Sequence, residues 1–163
     1  MKKISDIGEV RSLRKSLLGD LKLGFVPTMG ALHEGHVSLI KESVRANDRT
    51  ILSIFVNPTQ FNSPKDLQSY PSNIERDLEI ARDAGVDFIF LPSHSDIYID
   101  KFEYQIHETK LSKELCGAGR PGHFTGVLTV VMKLLNLVAP DRAYFGLKDF
   151  QQYELVQKIN LKK

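Results

Sequence analysis

Pro27-Thr28-Met29-Gly30-Ala31-Leu32-His33-Glu34-Gly35-His36 decides the fold. The apolar run Leu21 to Val26 before it reads as a short buried strand, and Val37-Ser38-Leu39-Ile40 after it continues with helical spacing. The stretch is therefore a strand-to-helix turn. Gly30 and Gly35 let backbone approach a bound group, and the amides of the helix start carry partial positive charge toward it, which suits a phosphate. His33 and His36 lie three residues apart, so both rings project to one side and can donate to phosphate oxygens as charge builds on them. The same pieces also occur in α/β proteins that bind nothing at this point, and such a pair can be an incidental surface pair. Zinc fits less well, because the helical metalloprotease pattern spaces its histidines four apart around a Glu.

The whole chain sets the bounds. Its 163 residues, 42% hydrophobic and 26% charged, suffice for one core and one domain spanning 1–163. Basic and acidic residues number 22 and 20, and no Lys/Arg block exceeds two, so nothing demands a nucleic-acid partner. Cys116 is the single cysteine and cannot form an internal disulfide, and the N-terminus lacks a long apolar segment. The expectation is a cytoplasmic protein without a membrane segment.

In chain order, Ser5 to Leu18 carries Ile7, Val10, Leu13, Leu17 and Leu18 at helical spacing, with Ser5 as candidate N-cap and Gly19 or Asp20 as the end. This first helix is expected to precede the first strand, Leu21 to Val26. The motif turn then opens a helix from about Gly35 to Ala46. Thr50 to Val56 is apolar and β-branched, as a central parallel strand covered on both faces should be. At its C-terminal end, where open α/β sheets place ligands, lies Asn57-Pro58-Thr59-Gln60-Phe61-Asn62. The amides of Asn57, Gln60 and Asn62 suit hydroxyl and carboxylate groups, although a polar turn broken by Pro58 has the same composition.

Ser72 to Ala84 reads as an amphipathic helix ending at Gly85, and Val86 to Leu91 as the third strand, stopped by Pro92. Phe102 to His107 alternates like a peripheral strand, and Ser112 to Leu115 suggests a helical turn. Gly117 to Gly126 is a second Gly-rich segment, leading into a helix over Val127 to Val138. With Arg120 and His123 it is either an anion-binding cover or a flexible connector. Arg142 to Gly146 makes a fourth strand, after which Lys148 is well placed for a phosphate, with Asp149 able to orient it or accept ribose hydroxyls; a solvated Lys-Asp pair is the alternative. A last helix runs to about Ile159, and the Leu161-Lys162-Lys163 ending adds no strand or linker.

Taken together, Pro27 to Ile40, Ser53 to Phe61, Arg120 to Val131 and Phe145 to Gln152 closely resemble the pantothenate synthetase (pantoate–β-alanine ligase) family of the cytidylyltransferase-like nucleotidyltransferase superfamily. His33-Glu34-Gly35-His36 alone indicates the superfamily; the Asn57–Gln60 loop and Lys148-Asp149-Phe150-Gln151-Gln152 make the family specific. The resemblance implies an α/β, Rossmann-like parallel sheet with helices on both faces. It implies an ATP-dependent, AMP-forming carboxylate–amine ligase that adenylates pantoate and passes the pantoyl group to β-alanine. Met29, Gly30, Ala31, Leu32, His33, Glu34, Gly35 and His36 would line the ATP site, with His36 the proton donor and His33 its partner on the phosphates. Gly146, Leu147, Lys148 and Asp149 would complete that site, with Lys148 on phosphate, while Gln60 and Gln152 bind pantoate and Gln60 also lies near β-alanine. Mg2+ would accompany ATP, with no ligands assigned, and a homodimer is implied. Leu147 stands where the family usually has glutamate, and Ser72-Asn73 where it has Arg-Thr. The family's C-terminal lid domain is expected to be absent from these 163 residues.

Overall fold

The computed structural model describes residues 1–17, 19 and 21–159. Leu18 and Asp20, named above at the end of the first helix, and the Leu161-Lys162-Lys163 ending lie outside the described residues. Strands β1 (Lys2–Ile4), β2 (Leu23–Thr28), β3 (Arg49–Ile54), β4 (Phe88–Phe90) and β5 (Arg142–Ala143) form one five-stranded sheet in the order β1-β4-β3-β2-β5. Every pairing is parallel. From β2 the chain steps outward through β3 and β4, then returns to lay β5 on the other side of β2. The strand order thus reverses between β2 and β5, and open parallel sheets bind ligands at such a point, outside the C-terminal strand ends.

Side chains alternate across the sheet and feed two cores. Phe25, Ile51 and Phe90 pack with Val10 of α1 (Ile7–Ser16), Leu128 of α6 (His123–Val138) and Leu155 of α7 (Phe150–Ile159). Val26, Leu52 and Ile89 point the other way, against Ile40 of α2 (Glu34–Ala46) and Ala81 of α4 (Ile74–Asp83). Helices therefore cover both faces, and the central strands read as continuous apolar runs because both of their faces are buried. Short helices α3 (Pro64–Gln68) and α5 (His94–Ile97) occupy the connections after β3 and β4.

Several expectations fail at the margins of the fold. A strand, not the first helix, comes first: Lys2–Ile4 pairs with Phe88–Phe90, and with Ile4 alone buried it carries no alternation to read. The α1 cap is Asp6, not Ser5, and Asp6 Oδ1 accepts from the Glu9 amide at 3.0 Å. Phe102 to His107 is not a strand. Lys101 and Phe102 take left-handed φ values of 51° and 65°, which break an extended run, and the Ile106 amide donates to Thr129 Oγ1 at 2.9 Å. The turn expected near Ser112 is two 3₁₀ turns, Leu111–Lys113 and Leu115–Gly117. The strand after α6 shrinks from Arg142–Gly146 to Arg142–Ala143, and a 3₁₀ turn at Leu147–Asp149 leads into α7. Helices α3 and α5 answer to no expected element, while β2, β3, β4, α2, α4, α6 and α7 begin and end within a few residues of the expected positions.

Candidate active site

The turn after β2 is held from within. Gly30 has φ 84° and Ala31 φ 51°, so two successive residues are left-handed and their following amides converge. That concavity is filled by the protein's own carboxylate: Asp77 of α4, 3% exposed, accepts from the Ala31 amide at 2.9 Å and the Leu32 amide at 2.7 Å. A Cβ on Gly30 would stand 2.8 Å from Asp77 Oδ2. These two amides are consequently not offered to a ligand, contrary to the simple picture of a turn whose amides all face a phosphate. The offered donors are side chains. His33 caps α2 by accepting the Gly35 amide on Nδ1 at 3.0 Å, and His36 Nδ1 faces the His33 amide at 3.4 Å. With both Nδ1 atoms accepting, each neutral ring carries its proton on Nε2. The ring centroids are 4.2 Å apart, and burial first, then the neighbouring His33, holds His36 below the usual imidazole range, while Asp77 and Asp149 pull it upward.

At the end of β3, Asn57 caps a 3₁₀ turn over Pro58–Gln60. Helix α6 meets this turn backbone to backbone: a Cβ on Gly126 would lie 2.5 Å from the Thr59 carbonyl oxygen and 2.8 Å from the Gln60 nitrogen. Nδ1 of His123, at the start of α6, donates to the Gln60 carbonyl at 2.8 Å. Burial lowers the His123 pKa and so favours the neutral ring, in which a donating Nδ1 leaves Nε2 as the acceptor. Asn57 is 1% exposed, and its amide is spent inside the protein, on Gln60 Oε1, the Gly126 carbonyl, Thr59 and Tyr98.

Between this turn and the start of α7 lies a cavity of about 620 Å³. Met29, Gln60, Lys148, Asp149 and Gln152 line it, which brings together residues far apart in sequence. Gly30 and Leu32 are buried beneath the turn, and His33, Glu34 and Gly35 are exposed. Half-buried His36 does not line it, although the charge of Asp149, which does, pulls the pKa values of His36 and His123 upward against the lowering by burial. Gly146 and Leu147 are exposed beside the cavity without lining it, and Asn57 does not line it either. The two neighbouring glutamines divide their roles. Gln151 is buried, accepting from the Cys116 amide at 3.0 Å and donating to the Leu111 and Glu114 carbonyls at 2.7 and 2.8 Å. The Gln152 amide has no partner among the described residues. The sequence drew no attention to Tyr70 and left Arg120 and His123 inside an undecided Gly-rich segment, yet all three line the cavity. The polar residues within those glycines were the available signal.

The family model for pantoate-beta-alanine ligase matches residues 2–162. The chain belongs to the pantoate-beta-alanine ligase family. Pantothenate synthetase of Thermosipho africanus is 51% identical over 160 residues, covering 98% of this chain and 58% of the relative. That of Legionella pneumophila (strain Corby) is 52% identical over 152 residues, covering 93% and 60%. Among solved structures, the pantoate-beta-alanine ligase from Francisella tularensis complexed with beta-gamma ATP and beta-alanine superposes with a TM-score of 0.94 at 48% identity, over 98% of this chain and 61% of that one. The pantothenate synthetase from Thermus thermophilus gives 0.89 at 42%, over 98% and 56%. The chain thus spans between 56% and 61% of the length of these ligase-family relatives. Among the described residues no helix is long and apolar enough to cross a membrane, and no group of three or more His, Cys, Asp or Glu side chains could hold a metal ion.

Proposed function

We propose that the cavity binds pantoate beside ATP and joins the pantoate carboxylate to AMP, after which β-alanine takes the pantoyl group to give pantothenate. The carrying observation is that Gln60, Gln152, Lys148 and Asp149 converge on one cavity. A carboxylate oxygen attacks the α-phosphorus and pyrophosphate leaves; the β-alanine amine then attacks the acyl carbon, AMP leaves, and the amine loses its proton. No protein nucleophile is required. Gln60 and Gln152 hold the polyol end of pantoate with neutral donors, which fix orientation without demanding a counter-charge. The Nε2–H groups of His33 and His36, with Lys148, meet charge as it grows on the phosphate oxygens. Arg120 is a second fixed cation of the cavity and suits a carboxylate or phosphate.

Mg2+ would arrive on the ATP phosphates, because the absence of a three-ligand cluster among the described residues fits an ion held by phosphates, water and at most a carboxylate such as Asp149. Bound there, it would neutralise phosphate charge and assist the departing pyrophosphate. The family likeness supports cytoplasmic placement and a homodimer, which sedimentation would reveal as a mass twice that of the 18.4 kDa chain.

The partial span favours a second reading for the chain by itself. A site that must hold the triphosphate in line and keep water from the adenylate loses several kcal/mol of positioning when part of its enclosure is missing. Residues 1–163 assayed as an isolated polypeptide should then bind the ligands yet turn over on the order of a thousandfold more slowly than a full-length relative. Pyrophosphate release from ATP, with and without pantoate, tests both readings. Slow pantoate-dependent release supports the enzyme, saturable binding with no release supports the binding module, and release indifferent to pantoate overturns the assignment.

A further inference from the structure

The side chain of Gln60 has only one orientation open to it, and that orientation is set outside the cavity. The Thr59 amide, which can only donate, points at Asn57 Oδ1 at 3.4 Å. The Gly126 carbonyl, which can only accept, lies 3.2 Å from Asn57 Nδ2. These two backbone groups fix which end of the Asn57 amide is oxygen. Tyr98 reinforces the choice, its hydroxyl donating to Asn57 Oδ1 at 2.7 Å, and Thr59 Oγ1 adds a contact at 2.9 Å. Nδ2 of Asn57 then donates to Gln60 at 3.0 Å, so the Gln60 atom on that side is its oxygen, Oε1. The Gln60 Nε2 group is left for the cavity, while the backbone beneath is pinned by His123. Tyr98 is itself held rigidly: 3% exposed, its ring lies edge-on to Phe102, with Lys133 Nζ 5.5 Å from its centroid and paired to Asp100 at 2.9 Å.

We propose that Asn57 and Tyr98 are positioning residues that lock Gln60 as a donor-only contact, so that at the pantoate position the cavity selects an oxygen over an amine. This rests on the reading of the cavity as the pantoate site. A hydroxyl or carboxylate oxygen accepts from Nε2, whereas an ammonium group sets donor against donor. Asn57 thus acts through Gln60 rather than on substrate.

The test titrates the chain with pantoate, with analogues in which either hydroxyl is replaced by an amine, and with ATP, following side-chain amide signals by NMR. Tyr98→Phe keeps the ring and removes one donor to Asn57; its pantoate Kd should rise several-fold with the ATP Kd unchanged. Asn57→Asp places acceptors on both sides, so Gln60 should turn to donate toward it and present Oε1 to the cavity. Pantoate should then weaken tenfold or more, and the preference for hydroxyl over amine should narrow or invert. If the unaltered chain binds pantoate and both variants keep its affinity and preference, the proposal fails while the site assignment stands. If the unaltered chain does not bind pantoate, the site assignment fails first. Should Asn57→Asp not fold, Tyr98→Phe decides alone, an unchanged pantoate Kd overturning the proposal.

Discussion

The carboxylate of Asp77, on α4, accepts a 2.7 Å hydrogen bond from the amide of Leu32, 45 residues earlier in the chain. With the companion bond from Ala31 at 2.9 Å, it closes the left-handed turn that leads to His33 and His36. Asp77→Asn keeps the shape but sets an N–H against one of the two amides, leaving a buried donor unpaired at a cost of about 1–3 kcal/mol. Thermal unfolding should show that loss, and ATP binding should weaken beyond what the stability loss explains. Because Asp77 pulls the His36 pKa upward, an NMR titration of the variant should place His36 still lower.

The pH dependence of stability follows from His36 and His123. Burial lowers both pKa values, and each Nδ1 is committed, His36 accepting and His123 donating. Since the unfolded chain takes up these protons more readily, stability is present above the ordinary imidazole value of about 6.5 and is lost as pH falls through it toward the folded values. The melting temperature should therefore drop between about pH 7 and pH 5, and His36→Gln should flatten that slope. A melting temperature that is constant or rises on acidification would contradict this assignment of charge states.

Much of this was legible because it is local. The apolar runs at β2, β3 and β4 and the turn between β2 and α2 announce themselves by residue type and spacing. Lys2–Ile4 does not, since a three-residue strand at the sheet edge is made by its neighbour rather than by its own pattern, whereas the strand expected over Arg142–Gly146 is present but keeps only Arg142–Ala143. The Asp77 clamp was equally hidden. Its carboxylate sits among charged residues of an amphipathic helix, and only the fold brings it under Ala31 and Leu32. Asn57 read naturally as a substrate contact because amides suit polyols, yet burial commits both of its polar atoms to protein groups.

At Gly126, α6 and the 57–60 turn pack backbone against backbone. In Gly126→Ala the added methyl meets the Thr59 carbonyl and the Gln60 nitrogen, and backbone on both sides must yield. Overpacking of this kind costs about 1–3 kcal/mol. Pantoate affinity should fall along with the melting temperature, since the displaced turn carries Gln60; a variant that loses stability while binding pantoate normally would detach the turn from the ligand.

The adjacent glutamines make a sharp contrast. Gln151→Ala removes three hydrogen bonds that tie α7 to the 111–117 segment, so it should destabilise by about 1–3 kcal/mol. Gln152→Ala removes an amide without a partner among the described residues, so stability should hold while pantoate binding weakens roughly tenfold. Calorimetric unfolding and a pantoate titration of both variants check the division; interchanged effects would reverse the roles of the two side chains.

In the proposed reaction the pantoate carboxylate attacks the α-phosphorus of ATP in the cavity lined by Gln60, Lys148 and Gln152. Pantoate labelled with ¹⁸O in its carboxylate tests it most directly, by incubation with the chain, ATP, Mg2+ and β-alanine and mass analysis of the nucleotide product. That reaction yields AMP carrying one ¹⁸O, together with unlabelled pyrophosphate. Unlabelled AMP, or ADP with the label in inorganic phosphate, would contradict it.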